Sequence, residues 1–104
     1  MYNKLVRDNI PDIIKSKGGE PITHVLDDTN YKLELEKKLL EEANEVINSS
    51  GSDRIEELAD LLEVMYALME LENKTLEDVH VVREEKVSKR GAFTKRLYLS
   101  DVIE

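Results

Sequence analysis

The sequence predicts an all-α domain of four helices, for three reasons. Apolar residues recur at spacings of three and four over two long stretches, at Leu35, Leu39, Ala43 and Val46 and again from Leu58 to Met69. Clusters of Gly, Ser and Asn punctuate the chain where helices must end. The period-two alternation that marks strands is weak, and is confined to residues 20–28 and to the C-terminal tail.

Pro11 suits a first helical turn, so a short first helix should start there and stop at Gly18 and Gly19. Residues 20–28 read as an extended connector. The second helix is expected from about Thr29 or Asn30 to Ile47, broken by Ser49, Ser50, Gly51 and Ser52. Asp53 with Glu56 resembles a capping box, placing a third helix over residues 55–71. That helix turns apolar nearly all round after Leu58, and a monomer of this size can hardly cover Leu61, Leu62, Val64, Met65, Leu68 and Met69. A second copy of the chain is therefore expected to pack on it. Thr75, with Asp78 in the first turn, should cap a fourth helix striped by Leu76, Val79, Val82 and Val87 and ended by Gly91. The tail after Gly91 is expected to pair as a short strand or to lie across the bundle.

The 104 residues form one expected domain, large enough to bury about 60–70% of its unfolded surface. The absence of cysteine removes disulfides and thiolate metal sites, and two histidines cannot build a zinc cage. Lys4, Arg7, Asp8 and Asp12 interrupt any N-terminal apolar run, and no stretch approaches the length of a membrane span. A cytoplasmic protein without membrane contact is expected. The formal charge of -8 opposes stable binding to nucleic acid, although a small anion can still enter through a bound cation.

The chemistry concentrates in two acidic pairs, Glu42 with Glu45 in E-E-A-N-E and Glu57 with Asp60 in E-L-A-D. Residues three apart project from one helix face, so each pair is a clamp. If the two helices fold back antiparallel, the pairs converge. Glu42 and Glu57 also flank the apolar arcs, where an unpartnered carboxylate is costly. Two readings stay open from spacing: ion pairing, for which Arg54 is the only basic residue near in sequence, or an oxygen-ligated metal. An EF-hand is excluded because these carboxylates sit on helices and not in an acidic loop. Glu77 and His80 form one Glu-x-x-His, but a di-iron bundle needs two, so a structural or surface histidine is expected. Glu34, Glu36, Lys37 and Lys38 read as a solvated face. Serines 49, 50 and 52 lack a histidine base nearby in sequence, which leaves a serine nucleophile unsupported. Lys86, Lys89 and Arg90 fall in the last turn of a helix, where they either complement the helix dipole or form a cationic rim for phosphate oxygens.

Taken together, E-E-A-N-E, E-L-A-D, the downstream K-x-x-K-R-G-x-F and the opening Y-N-K-L-V-R-D-N-I-P-D-I-I resemble the all-α nucleotide pyrophosphohydrolases, the MazG-like and phosphoribosyl-ATP pyrophosphohydrolase-like proteins. The resemblance spans most of the chain. It implies a four-helix-type bundle with short irregular or extended terminal segments, assembled as a homodimer or higher oligomer. It also implies magnesium, with manganese as a substitute, and cleavage of nucleoside triphosphates to monophosphate and pyrophosphate, a house-cleaning activity on the nucleotide pool. By position, Glu42, Glu45, Glu57 and Asp60 match the metal ligands, with Glu42 and Glu45 also in the catalytic set, and Glu41 matches the first glutamate of the motif, which would orient water. Lys86 and Arg90, with Lys89 beside them, match the phosphate-binding basic positions. Lys4 and Arg7, with Asp8, are characteristic of one small branch, as substrate contacts or as an ion-paired cap on the bundle. The connection between the acidic motifs is short, leaving little room for base recognition. The rival readings are a helical interaction module without catalysis and a phosphoribosyl-ATP hydrolase of histidine synthesis.

Overall fold

The computed structural model describes residues 3–104 as an all-α chain of four helices: α1 (Ile10–Ser16), α2 (Asp28–Ile47), α3 (Gly51–Leu71) and α4 (Leu76–Arg90). Met1 and Tyr2, the first letters of the N-terminal motif, lie outside the described residues.

Local chemistry sets each helix end. α1 begins one residue before Pro11 and closes in a Schellman turn. There Gly18 N–H donates to the Lys15 carbonyl and Gly19 N–H to the Ile14 carbonyl, with Gly18 at φ +87°. α2 starts earlier than its apolar period indicated, because the Asp27 side chain accepts from the Asn30 N–H at 2.8 Å and caps the helix. α3 also starts early, which corrects the expected cap at Asp53. Gly51, at φ +60°, turns the chain directly into the helix, so Asp53 falls in the first turn, where its charge faces the positive end of the helix dipole. Ser50 holds the N-cap position without a side-chain bond. α3 ends in a second Schellman turn: Asn73 (φ +57°) donates to the Glu70 carbonyl and Lys74 to the Met69 carbonyl. Thr75 then caps α4 in a full capping box with Asp78.

The link between α2 and α3 is only residues 48–50, which forces the two helices antiparallel against each other. Their contact is the body of the protein. Leu35 from α2 is 2% exposed, and Val64 and Met69 from α3 are its other buried apolar residues. Leu39, Ala43, Val46, Leu61 and Leu68 fill the half-buried margin, as the spacing of three and four predicts. α4 touches α3 only marginally, and every residue from Val81 onward is exposed.

The tail departs from expectation. Among the described residues there is no strand, and the tail neither pairs nor crosses the bundle; Phe93 is 97% and Tyr98 92% exposed. The other alternating segment, residues 20–28, is extended too, but Ile22 and Val25 are as exposed as the tail, so neither offers the other a buried face. The Cα radius of gyration is 18.3 Å, against about 13 Å for a compact chain of this length. Leu58, Leu62 and Met65 on α3, and Leu76, Val79, Val82 and Val87 on α4, stay exposed in a single copy.

The α4 cap is the most fully bonded of the helix ends. Asp78 N–H donates to Thr75 Oγ1 at 3.2 Å, while the Thr75 N–H and hydroxyl both donate to Asp78 Oδ2 at 2.9 and 3.1 Å. These bonds, backbone first, with Lys74 adding a smaller pull, hold the Asp78 carboxyl below its ordinary value of 3.8. The unfolded chain takes up this proton first, so the cap's contribution is complete above the ordinary value and is lost as pH falls through the lowered one. Thr75→Ala should cost about 1 kcal/mol at neutral pH. Urea unfolding of wild type and variant should show that difference shrinking in strong acid.

Candidate metal centre

The antiparallel pairing sets the acidic segments of α2 and α3 side by side, about one turn before the connecting link on α2 and about two turns after it on α3. Carboxylate oxygens of Glu42, Glu57 and Asp60 lie within 4.8 Å of one another, and all three residues are half-buried. Three of the four expected ligands are thus brought together. Glu45 is exposed and stands just outside this triad, yet it is close enough to raise the proton affinity of Glu57. Glu41 is exposed and is not part of the triad; it lies one turn before Glu45 on the same side of α2, about 40° round the helix from it.

Partial burial, followed by the negative charges of Glu45, Asp60, Glu42 and Glu56, holds the Glu57 carboxyl above its ordinary value of 4.5. The site is therefore short of positive charge. Two side chains supply some of it. Arg7 Nη2 donates to Asp60 Oδ1 at 2.6 Å, with both side chains substantially exposed. Lys38 Nζ stands 3.8 Å from Glu42 Oε1 one helical turn away. Arg54, the basic residue nearest in sequence, turns elsewhere and donates from Nε to the Ser49 carbonyl. One counter-charge thus comes from 53 residues away, a long-range contact that no local spacing signals. The other, Lys38, lies only four residues from Glu42 and corrects the expectation that Arg54 alone is near in sequence. Of the N-terminal basic residues, Arg7 reaches the cluster, whereas Lys4 is exposed and forms no ion pair with a described residue.

The donor set fits magnesium or manganese chemically. It is all oxygen and anionic, as these hard cations require, and the three carboxylates are near enough for side-chain rotation to bring them round one ion. Among the described residues this is the only group of three or more potential metal ligands. His80 pairs instead with Glu84 at 2.9 Å, and Arg83 Nη2 lies 3.3 Å from its Nδ1, which places it as a surface histidine and not as half of a di-iron motif.

The basic residues of α4 stand apart from the carboxylates within one copy. Lys86, Lys89 and Arg90 are exposed and form no ion pair with Glu42, Glu45, Glu57 or Asp60. Lys86 borders an open groove with Lys74, Asp78, Val79, Val82 and Arg83, and Arg90 borders another formed by the residues that follow it. No family model, curated protein or solved structure matches the chain.

Because folded Glu57 keeps its proton to higher pH than the unfolded chain does, stability should fall as pH rises from the ordinary value of 4.5 through the raised one. Glu57→Gln should remove that fall and melt higher than wild type at neutral pH in the absence of divalent cations. Thermal melts across this range test it. A slope that survives in the variant assigns the pH dependence to other groups.

Proposed function

We propose that the chain is a magnesium-dependent nucleotide pyrophosphohydrolase of the all-α kind, acting on the bond between the α and β phosphates. The observation that supports this reading is the convergence of Glu42, Glu57 and Asp60, with Glu45 alongside, on one point between α2 and α3.

In this reading Glu42, Glu57 and Asp60 hold the cation and Glu45 completes its surroundings. When bound, magnesium supplies charge for the phosphate oxygens and acidifies a water. The attacking water oxygen forms a bond to the α-phosphorus, the bridging bond to the β-phosphate breaks, and pyrophosphate leaves with the electron pair. The water's proton needs an acceptor. Glu45, exposed beside the triad, would accept that proton, and Glu41, one turn away on the same side of α2, would help to orient the water. Arg7, already beside Asp60, can turn its guanidinium to a phosphate oxygen once a cation holds the carboxylate, and Lys86, Lys89 and Arg90 supply further positive charge for the triphosphate.

Self-association belongs to the same reading. A radius of gyration well above the compact value, together with Leu58, Leu62 and Met65 left exposed on α3, supports a homodimer or higher oligomer. The rival reading, a helical module without catalysis, is favoured by the Arg7–Asp60 and Lys38–Glu42 pairs, which already offset part of the negative charge.

A panel of canonical, deoxy and modified nucleotides with magnesium, scored for pyrophosphate, tests the activity. Glu45→Gln and Asp60→Asn should each abolish release while leaving the helical content unchanged. Orthophosphate as the product contradicts the proposed bond, and no product from any nucleotide favours the interaction module.

Arg90→Ala should raise KM for the triphosphate with little effect on cation binding, and Lys86→Ala should act in the same direction but less, lacking the two-pronged contact. A dipole role alone predicts instead unchanged kinetics and at most about 1 kcal/mol of lost stability. Steady-state kinetics beside melting curves separates the two.

A further inference from the structure

Charge is distributed very unevenly along this chain. Residues 28–72, the α2–α3 pair and its link, carry thirteen Asp and Glu against four Lys and Arg. Residues 86–97, the end of α4 and the start of the tail, carry Lys86, Lys89, Arg90, Lys95 and Arg96 and no acidic residue. Opposite charges of this size attract, yet the two segments form no ion pair in one copy. The α3–α4 turn explains why. Schellman bonds close α3 and a complete capping box opens α4 within residues 72–75, so the direction of α4 is set at its root. Its fifteen residues then carry the cationic end about 22 Å away from that turn. The same segment is apolar as well as basic: Phe93 and Leu97 are almost fully exposed, and Tyr98 and Leu99 extend the strip.

We propose that residues 86–99 form an exchange arm that docks on the acidic α2–α3 face of a second copy of this chain, while that copy's arm docks in return. The inference rests on the self-association proposed above and names the segment and the surface that make it. Two features of the molecule select a second copy as the occupant. The complementary face is present on every copy: a net negative surface bordered by the exposed Leu58, Leu62 and Met65 of α3, able to take both the cations and the apolar side chains of the arm. A polyanion is disfavoured because the arm's five cations sit on a chain of net charge -8. Reciprocal exchange closes with two-fold symmetry, so it ends at a dimer and does not propagate.

The test mixes isotope-labelled and unlabelled full-length protein, treats the mixture with a zero-length reagent that couples lysine to carboxylate, and sorts the cross-linked peptides by mass. Labelled-to-unlabelled links should join Lys86, Lys89 or Lys95 to acidic residues within 28–72. In parallel, Lys95→Glu combined with Arg96→Glu should weaken self-association roughly tenfold or more at low salt in sedimentation, with helical content unchanged. High salt should weaken the wild type in the same direction. A dimer whose arm links only within its own copy, or that keeps full affinity in the double variant, overturns the arm and leaves self-association standing. A monomer at micromolar concentration overturns both. Arm-dependent binding to duplex DNA or to anionic vesicles, with the dimer unaffected by the double variant, reassigns the arm to those partners.

Discussion

The closeness of like charges between α2 and α3 is the constraint on which the rest of this structure depends. A three-residue link fixes the two helices antiparallel, and burial of Leu35 against α3 locks them together. The apolar stripes and the acidic pairs share the same two helices, so the contact that buries the first also brings Glu42, Glu57 and Asp60 together. The fold gains its core and the local repulsion in one step. Partial burial disfavours the charged form of Glu57 and the neighbouring carboxylates add to that, which is why Glu57 keeps its proton beyond the usual range. The exposed Arg7–Asp60 pair offsets only part of it, since such pairs are worth about 1 kcal/mol or less. A divalent cation is the ligand whose charge and oxygen preference match what remains.

Much of this was legible in the sequence because it is local. Spacings of three and four placed α2 and α3, and the Thr75–Asp78 box placed the start of α4. The convergence of Glu42, Glu57 and Asp60 followed from the short connection that folds α2 and α3 back antiparallel. Helix starts were less legible. Asp27 and Gly51 each begin a helix before its apolar period does, one through a side-chain cap and the other through backbone geometry. The capping box read at Asp53 failed because Gly51 turns the chain before Asp53 is reached. Least legible were the contacts made at long range or not made at all. Arg7 meets Asp60 across 53 residues, and the tail's weak alternation finds no partner strand among the described residues.

The exposed surface and the charge pattern share one physical cause. Two long helices packed only on each other can each bury one stripe, and α3 carries apolar residues on more than one. Leu58, Leu62 and Met65 are left at the surface beside the carboxylates, while the cationic, apolar end of the chain stands clear of its own body. Neither surplus is met within one copy. In the proposed dimer a second copy would meet both at once, and it would also bring positive charge towards the face that lacks it. Assembly and phosphate binding are therefore expected to be coupled.

The central claim is that the three converging carboxylates form a divalent cation site. The most direct measurement is the melting temperature of the full-length protein against magnesium concentration, for wild type and for Glu42→Gln. The account predicts a saturable rise in wild type, because a cation that binds only the folded state stabilises it by mass action, and a much smaller rise in the variant. No rise in wild type, or an equal rise in both proteins, would contradict it.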